Sequence, residues 1–324
     1  MRRLRPALLS VLVALVLSAG LAPSLLAQEP ARTVRDTVPL SPDDTLSVDN
    51  HEGRITVTTW ARDRVRYEAR ILPTDEDPEA EKVTIRTERD GDRLRLATVH
   101  EEGDDESVVF GITEDGFQWG GVDIPDVHYT ITMPRSAGLV VSDHASTIDV
   151  ADHTGTLRID SHEGPITVEK HRGALTIDSH ESPVSVTDQT GDVTIDTHEG
   201  AMALRRVEGR LAVDTHDGDL DVADLNGGLW LKSHDGSASA SFSAVPDDVI
   251  ADTHDGDVTL TLPADAGFSL NTDFDDDADL TSSFDLAPIR EAEDDVVNFR
   301  GDVHGGGPTL RLTSHDGTFA LRSR

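Results

Sequence analysis

Glycine recurs at a step of nine residues through the middle of this chain, and this period constrains the fold more than any other feature. Two and four residues after each glycine stand apolar side chains, beginning with Leu157 and Ile159. Ser182 occupies the one vacant place in the series, which otherwise reads Gly155, Gly164, Gly173, Gly191, Gly200, Gly209, Gly218, Gly227 and Gly236. Such a unit describes a short β-strand followed by a corner. Glycine at this frequency excludes a helix.

The corners alternate between two types, so the true repeat is about 18 residues. One type reads Ser/Thr-His-acid, as in Ser161-His162-Glu163, and the other is looser, as in Asp152-His153-Thr154-Gly155. No single unit can bury its own apolar face, so successive coils must stack. The sequence therefore predicts an all-β fold: a two-faced β-solenoid of about 18-residue coils, with six or so coils and an N-terminal β cap.

The segments outside the repeats complete the predicted domain organisation. Residues 28–45 contain Pro30, Pro39 and Pro42 and are predicted to be a flexible leader. Residues 46–138 show strand-like alternation and are predicted to cap one end of the stack. Residues 139–324 are predicted to form the solenoid, with an acidic inserted loop around 274–298 and a last coil at 309–321 that closes the stack.

Residues 1–27 have the order of a secretory signal peptide. Arg2, Arg3 and Arg5 precede an apolar run from Ala7 to Ala19, and a cut is expected after Ala27. An uncleaved anchor is the alternative, although the run is short for a span of about 20 residues. No second apolar run follows, so no transmembrane helix is expected in the mature chain. We expect export to the periplasm, the cell surface or the extracellular space.

The charge of the chain excludes one class of partner. Asp and Glu number 62 against 28 Lys and Arg, for a formal net charge of -34. Such a surface repels nucleic acid, whose phosphates require basic contacts. An acidic, lysine-poor chain suits concentrated salt, which screens self-repulsion, so we hypothesise a halophilic-like source. The chain has no cysteine, so disulfides contribute nothing.

Three segments outside and at the end of the repeats resemble a known family. They are Leu46–Val57, the strand Tyr129–Pro134 that ends in proline, and Gly305–Gly317. Together with the repeats they resemble the DUF4097 family, whose members are described as candidate adhesins. The resemblance implies an exported β-solenoid of surface or envelope type. It transfers no catalytic residues, because the family has no agreed chemistry, and this chain departs from the family pattern by placing His in the turn.

The Ser/Thr-His-acid turn supplies the candidate site. Stacked coils bring equivalent residues about one strand spacing apart, so the turns predict columns of like side chains. Imidazole and carboxylate together are a ligand set for Zn²⁺ or another divalent cation, the one cofactor candidate. The predicted metal ligands are His162, His180, His198, His216, His234, Glu163, Glu181, Glu199, Asp217 and Asp235. Asp160, Asp178, Asp196 and Asp214 form a further predicted column, with His144 and His254 near the ends of the His series.

Two other interpretations of the turn stay open. In the first it is only a corner, in which Ser161, Thr197 and their equivalents bond the turn backbone while the imidazoles stack. In the second the imidazoles make the edge sensitive to pH. Enzymatic motifs are absent: the chain has no His-Glu-x-x-His, no Walker loop and no Gly-x-Ser-x-Gly. A polysaccharide-active β-helix enzyme is a further alternative, with Trp60, Trp119 and Trp230 as candidates for stacking on sugars.

These observations favour a non-enzymatic binding or structural module of the cell envelope. Its partner would be an envelope protein or a glycan, and no nucleic acid. A divalent-metal-binding or pH-sensing surface protein is the alternative, and it would use the column of His and acids.

Overall fold

The computed structural model describes residues 29–75, 77–78, 80–101, 107–108, 124–275, 278–286, 288–290 and 297–324. The predicted signal peptide lies outside these residues, as do Trp119 and parts of the predicted acidic loop. The described residues contain strands, turns and bends and no helix.

The strands follow one another in chain order. The first group is β1 (Arg32–Pro39), β2 (Thr45–Asp49), β3 (Glu52–Trp60), β4 (Arg64–Ile71), β5 (Val83–Asp90), β6 (Arg93–Glu101), β7 (Ser107–Val108) and β8 (Val127–Pro134). The repeats contain β9 (Gly138–Asp143), β10 (Ala145–Ala151), β11 (Leu157–Ser161), β12 (Ile166–Glu169), β13 (Leu175–Ser179), β14 (Val184–Thr190), β15 (Val193–Thr197), β16 (Met202–Glu208), β17 (Leu211–Thr215), β18 (Leu220–Asn226), β19 (Leu229–Ser233), β20 (Ala238–Ala244), β21 (Val249–Thr253) and β22 (Val258–Leu262). The last group is β23 (Phe268–Phe274), β24 (Asp279–Ser282), β25 (Pro288–Arg290), β26 (Val297–Val303), β27 (Thr309–Ser314) and β28 (Thr318–Ser323).

Two long sheets contain all of these strands, and each coil contributes one strand to each sheet. The first sheet has 13 strands in the order β1-β4-β8-β3-β10-β12-β14-β16-β18-β20-β22-β28-β24. The second has 15, in the order β25-β26-β23-β27-β21-β19-β17-β15-β13-β11-β9-β2-β6-β5, with β7 paired to β6. Within the coils every pairing is parallel. The prediction of an all-β, two-faced solenoid is confirmed.

The core lies between the two sheets and follows the period of two along each strand. In β11 the side chains of Leu157 and Ile159 are fully buried, whereas the alternate Arg158 is exposed. Parallel pairing in register places Leu157 beside Leu175 of the next coil. Burial of such side chains contributes about 1.5–3 kcal/mol each, and the stack needs no disulfide to form a continuous core.

Close contact between coils explains the recurring glycine. At Gly173 the backbone has φ of +135°, and a Cβ atom there would lie 2.1 Å from the carbonyl oxygen of Gly155 in the preceding coil. A side chain at this corner therefore meets both an unfavourable backbone conformation and the neighbouring main chain.

The stack has more coils than the repeats alone predict, because segments from both ends of the chain join it. Strands β2 and β3 pair in parallel with β9 and β10, so they are the first coil of the solenoid. The predicted cap at 46–138 therefore has two parts. Its first strands belong to the stack, and β4, β5, β6 and β8 cover the end.

The prediction of a flexible leader is wrong for residues 32–39. These residues form β1, which pairs antiparallel with β4 from Arg32↔Ile71 to Pro39↔Arg64. The side chains of Val34 and Val38 pack against the core, which gives the strand an apolar anchor. Pro39 is the last residue of an edge strand, where a missing N–H does no harm.

The C-terminal coil does not close the stack, contrary to the prediction. Strand β27 lies between β21 and β23, and β28 lies between β22 and β24. The chain leaves the stack after β22, forms β23 and β24, and then returns to place β27 and β28 inside them. The predicted acidic loop at 274–298 is likewise not wholly irregular, since β24, β25 and the start of β26 fall within it.

Substitution of Gly173 tests the close-contact explanation. We expect Gly173→Ala to destabilise the protein by about 2–5 kcal/mol, from backbone strain and overpacking together. Gly91 is the control because it also has positive φ but has open space around its Cβ position. Gly91→Ala should cost only about 1 kcal/mol. Chemical denaturation measures both, and equal losses would show that backbone conformation alone requires the glycine.

Candidate functional site

Nine imidazoles form one continuous column along a corner of the solenoid, which we call the His column. Neighbouring ring centroids are 4.6–5.0 Å apart, and from His162 to His315 the rings are parallel within 3–6°. At the N-terminal end the first two contacts are tilted, at 53° and 49°. The members are His51, His144, His162, His180, His198, His216, His234, His254 and His315.

Hydrogen bonds within each turn fix the imidazole on the outside of the corner. Thr197 is buried, and its hydroxyl donates to the carbonyl of Glu199 at 2.8 Å. Ser161 donates to Glu163 in the same way at 3.0 Å. The backbone ladder also continues through the turn, since the amide of Glu181 donates to the carbonyl of His162 in the coil before. Ser233, Thr253 and Ser314 likewise donate to carbonyls of their own turns, whereas Ser179 donates to Thr197 and Thr215 accepts from the amide of Gly218. These hydroxyls hold the corner together.

From His162 onward, the acid that follows each His of the column forms an outer column, and the length of its side chain divides the turns into two kinds. Where the acid is Glu, the imidazole Nδ1 lies 3.4–3.7 Å from the carboxylate, beyond hydrogen-bond distance. Where the acid is Asp, Nδ1 donates to the carboxylate at 2.6–2.9 Å. Because a carboxylate only accepts, the Asp turns hold the proton on Nδ1 and leave the Nε2 lone pair free in the neutral ring. These turns are at His216, His234, His254 and His315.

A column of aspartates runs beside the imidazoles at the ends of the strands of the second sheet. Asp160, Asp178, Asp196 and Asp214 pair in register from coil to coil. Partial burial, followed by the charges of Asp178 and Asp214, raises the pKa of Asp196. Lys232 takes the next place and donates to Asp214 at 3.3 Å. Asp196 and Asp214, together with the part of the His column from His198 to His315, line a groove of about 660 Å³.

The N-terminal end of the His column is buried. His51 and His144 are each less than a tenth exposed, and burial lowers the pKa of His51 to about 4. Asp143 takes the place that Ser161 has in the next coil. Burial raises the pKa of Asp143 to about 7, although it accepts a hydrogen bond from the hydroxyl of Ser146 at 2.6 Å.

The C-terminal end is exposed and acidic. Asp275 directly follows β23, the strand that pairs with β27, and takes the place that a tenth His would have. Its amide donates to the carbonyl of Ser314, the same bond that the amide of His254 makes to Ser233. The hydrogen bond to Asp316, and then its charge, raise the pKa of His315. The Nε2 atom of His315 lies 3.9 Å from a carboxylate oxygen of Asp275.

The opposite corner, which we call the second corner, contains a buried polar column that the sequence patterns did not single out. His153, His171 and Gln189 stack one coil apart and are at most 1% exposed. Nε2 of His153 donates to the carbonyl of Ala137 at 2.8 Å. Burial lowers the pKa of His153 to about 4. The sequence signal for this column is the 18-residue spacing of the three residues, which places them at equivalent positions in successive coils.

The surface of the second corner neutralises its own charge. One residue in each coil there has a left-handed backbone with φ of 52–60°. In order along the stack these residues alternate in sign: Asp152, Lys170, Asp188, Arg206 and Asp224. Arg206 donates to Asp188 at 2.5 Å, and this bond lowers the pKa of Asp188. The His corner has no such alternation. Arg158 pairs with Asp160 and Asp178, and Lys232 pairs with Asp214, but within the described residues the outer column of acids has no Lys or Arg partner.

The ten predicted metal ligands all lie on the His corner, but their spacing does not form a shared site. Zinc–nitrogen bonds are about 2.0–2.1 Å, so two imidazoles on one ion are at most about 4.2 Å apart. The parallel rings from His162 to His234 are separated by 4.6–5.0 Å. One ion therefore cannot bridge neighbouring turns in this arrangement, and each turn would offer one imidazole with its own carboxylate.

The two described tryptophans that were candidates for sugar stacking differ in environment. Trp60 donates from Nε1 to the carbonyl of Arg64 and lies under the guanidinium of Arg62, at 4.9 Å from the ring centroid. Trp230 is 40% exposed on the outer face of the second sheet, near Pro246. Trp60 is thus a packing residue, and only Trp230 presents a free ring face.

Comparison with known proteins identifies the family. The model of the family described as Toastrack DUF4097 matches residues 43–322, and the chain belongs to this family. No curated protein matches the sequence.

Three solved structures are similar over most of the chain. A candidate cell adhesion protein from Clostridium sporogenes ATCC 15579 shares 10% identity at a TM-score of 0.23, covering 90% of this chain and 100% of its own. A candidate adhesin from Bacteroides fragilis NCTC 9343 shares 8% identity at 0.34, covering 92% and 100%. A candidate adhesin from Parabacteroides distasonis ATCC 8503 shares 12% identity at 0.31, covering 90% and 97%. With TM-scores this low, these likenesses carry no weight for function.

No segment of the described residues forms a helix with the length and apolar character needed to cross a membrane.

Acid should destabilise the fold through the second corner. The unfolded chain protonates His153 near pH 6.5, whereas the folded chain resists protonation until about pH 4. The unfolded state therefore binds more protons in this window, and stability falls as pH drops from about 6.5 to about 4. We expect His153→Gln to lessen this fall by about 2–3 kcal/mol at pH 4. Gln189 shows that a glutamine amide fits the column, and it donates to Gly173 at 2.9 Å. Denaturation at pH 7.5 and pH 4 measures the difference, and parallel pH profiles would contradict the assignment.

Neutralising one aspartate at each corner should have opposite effects. Asp196→Asn should raise the melting temperature at pH 7, because it removes a charge that Asp178 and Asp214 oppose. Asp188→Asn should lower it, because Arg206 stabilises that charge, and asparagine tolerates the left-handed backbone of this position. Both shifts should shrink in 1 M salt, where screening is strong. Shifts of the same sign would contradict the difference between the corners.

Proposed function

We propose that the protein is a non-enzymatic binding or structural module exported to the cell envelope, adhesin-like in role, and that the groove along the His corner is its contact surface. One observation carries the proposal. Acids of the second corner alternate with basic residues along the stack, whereas the acids that follow the column histidines, from Glu163 to Asp316, have no Lys or Arg partner among the described residues and repeat beside half-exposed imidazoles. Like charges one strand spacing apart repel by about 1 kcal/mol in water, so the arrangement favours a ligand that brings positive charge or many hydrogen-bond donors.

The repetition also supports a module without catalytic activity. An active site needs a unique set of groups at fixed distances, whereas each turn here presents nearly the same set as its neighbours. The buried hydroxyls of Ser161, Thr197 and Ser233 donate to backbone carbonyls of their turns, which is a structural role. A polysaccharide-active enzyme is the weaker alternative, because no pair of carboxylates is distinguished from the columns.

Membership of the Toastrack DUF4097 family and the N-terminal sequence support export. The chain begins with a charged segment, an apolar run and a small residue at Ala27. Its acidic charge repels nucleic acid, which supports a partner of another class. A glycan or an envelope protein with a basic or hydroxyl-rich surface fits the groove.

The second candidate function is a metal-binding or pH-sensing surface protein. It is favoured by the Asp turns, where the carboxylate orients the imidazole and leaves Nε2 available to a proton or to a metal ion. Both functions use the same corner, so they are separated by whether binding of the partner requires a metal.

Paired corner variants test the contact surface. The labelled mature protein is applied, in buffer with EDTA, to a glycan array and to purified envelope fractions. A variant with His198, His216 and His234 changed to Gln should lose most of the binding, because it alters the groove without touching the core. A variant with Lys170 and Arg206 changed to Gln alters the second corner and should bind as the wild type does. Equal binding by both variants would overturn the assignment.

Expression of the full chain should also release a mature protein that begins at Gln28, and an uncleaved cytoplasmic product would contradict export.

A further inference from the structure

The C-terminal end of the His column differs from every other part of it. Phe274 pairs in register with Ser314, so the next residue, Asp275, lies directly beyond His315. The column of imidazoles therefore ends in a carboxylate from another strand. This juxtaposition depends on the return of β27 into the stack, and no local sequence pattern contains it.

Distance is the first argument for a ligand at this end. His315 Nε2 and Asp275 Oδ2 are 3.9 Å apart, against 4.7 Å between the rings of His254 and His315. Ligand atoms on one tetrahedral zinc ion are about 3.3–3.5 Å apart, and opposed ligands at most about 4.2 Å. Both side chains are more than half exposed, so a shift of a few tenths of an ångström would bring the two ligand atoms to the separation found on one zinc ion. This pair can share an ion where two parallel imidazoles cannot.

The hydrogen bonds behind the rings are the second argument. Nδ1 of His315 donates to Asp316 at 2.9 Å, and Nδ1 of His254 donates to Asp255 at 2.6 Å. Histidines that bind metal ions almost always donate their other ring N–H to a carboxylate or a carbonyl, which fixes the ring and raises its basicity. The orientation of His315 is therefore set before a metal arrives, whereas His254 must turn out of the stack to become a ligand.

We propose that this end of the column is a binding site for one divalent transition metal ion, of the class of Zn²⁺, Ni²⁺ or Cu²⁺. His315 Nε2 and Asp275 are its principal ligands, and His254 is the third protein ligand. Potential ligand atoms of His254, Asp255 and His315 lie within 4.8 Å of one another, so a rotation of the exposed His254 ring completes the set. Imidazole with carboxylate suits these metals, whereas Ca²⁺ and Mg²⁺ require a shell of oxygen atoms.

The proposal gives the contact surface a specific inorganic ligand, and it rests on the proposed function only in using the same corner. A metal at this position would lie at one end of the groove and would neutralise part of its acidic charge. It would also join the capping strand β23 to the coil formed by β27 and β28, and so couple metal binding to the stability of that end.

Calorimetric titration of Zn²⁺ into the tag-free mature protein at pH 7.5 tests the site. We expect one ion per chain. Asp275→Asn and His315→Gln should each weaken the affinity at least tenfold, and Asp316→Asn about tenfold through loss of ring orientation. His180→Gln is the matched control, because it removes an equally exposed ring from a Glu turn, and it should leave the affinity unchanged within twofold.

Three outcomes would overturn the proposal. They are the absence of saturable heat, several equivalent ions per chain, and equal weakening by His180→Gln and His315→Gln. The visible spectrum of bound Co²⁺ gives an independent measurement, and its d–d bands should be lost in His315→Gln. Thermal melts of each variant without metal confirm that the fold is retained. Partner binding measured in EDTA is independent of this result, so failure of the metal site and failure of the contact surface are distinguishable.

Discussion

Each coil is hydrogen-bonded to the next through parallel strands in register, so that most residues lie beside their counterparts from the coil before; the pairing of β18 with β20 contains a shift. Pairing of Leu157 with Leu175 and then Val193 shows this in the core. The same register brings backbone carbonyls against the corners, which is why Gly173 cannot carry a side chain without moving Gly155. A residue type that recurs at the same place in successive coils therefore forms a column, with a spacing of about 4.8 Å between neighbours.

Columns of charge are the electrostatic consequence of this register, and the two corners respond to it differently. At the second corner Asp188 lies between Lys170 and Arg206, so attraction replaces repulsion along the column. At the His corner Asp196 lies between Asp178 and Asp214, and its pKa is raised by burial and by those charges. Because the fold permits the first arrangement, the second is not imposed by the fold. The outer acids of the His corner, which have no Lys or Arg partner among the described residues, are the physical reason for proposing the contact surface there.

The length of one side chain decides what each imidazole can do. Glu199 has one methylene more than Asp217, and its carboxylate lies 3.7 Å from its imidazole, whereas that of Asp217 lies 2.9 Å away. The shorter acid orients the ring and holds the proton on Nδ1. The His column therefore changes along its length, from the buried rings of His51 and His144 to the exposed and oriented ring of His315. The rings that are both exposed and held by a hydrogen bond from Nδ1 to an aspartate therefore lie toward the C-terminal end.

The nine-residue glycine period and the paired apolar positions determined the solenoid by themselves. Each unit contains its own glycine for the turn and its own two apolar residues to bury, so both signals can be identified within a few residues of sequence. They also determined that His162 to His234 lie on one corner, since the 18-residue repeat fixes the register. Tertiary structure alone decided which segments complete the stack. His254 and His315 are 61 residues apart in sequence, yet their rings stack at 4.7 Å, because β27 inserts between β21 and β23. It also decided that residues 32–39 form an edge strand and that Asp275 ends the His column. Insertion depends on free strand edges and exposed apolar faces at the ends of the stack, and these exist only after the coils have formed.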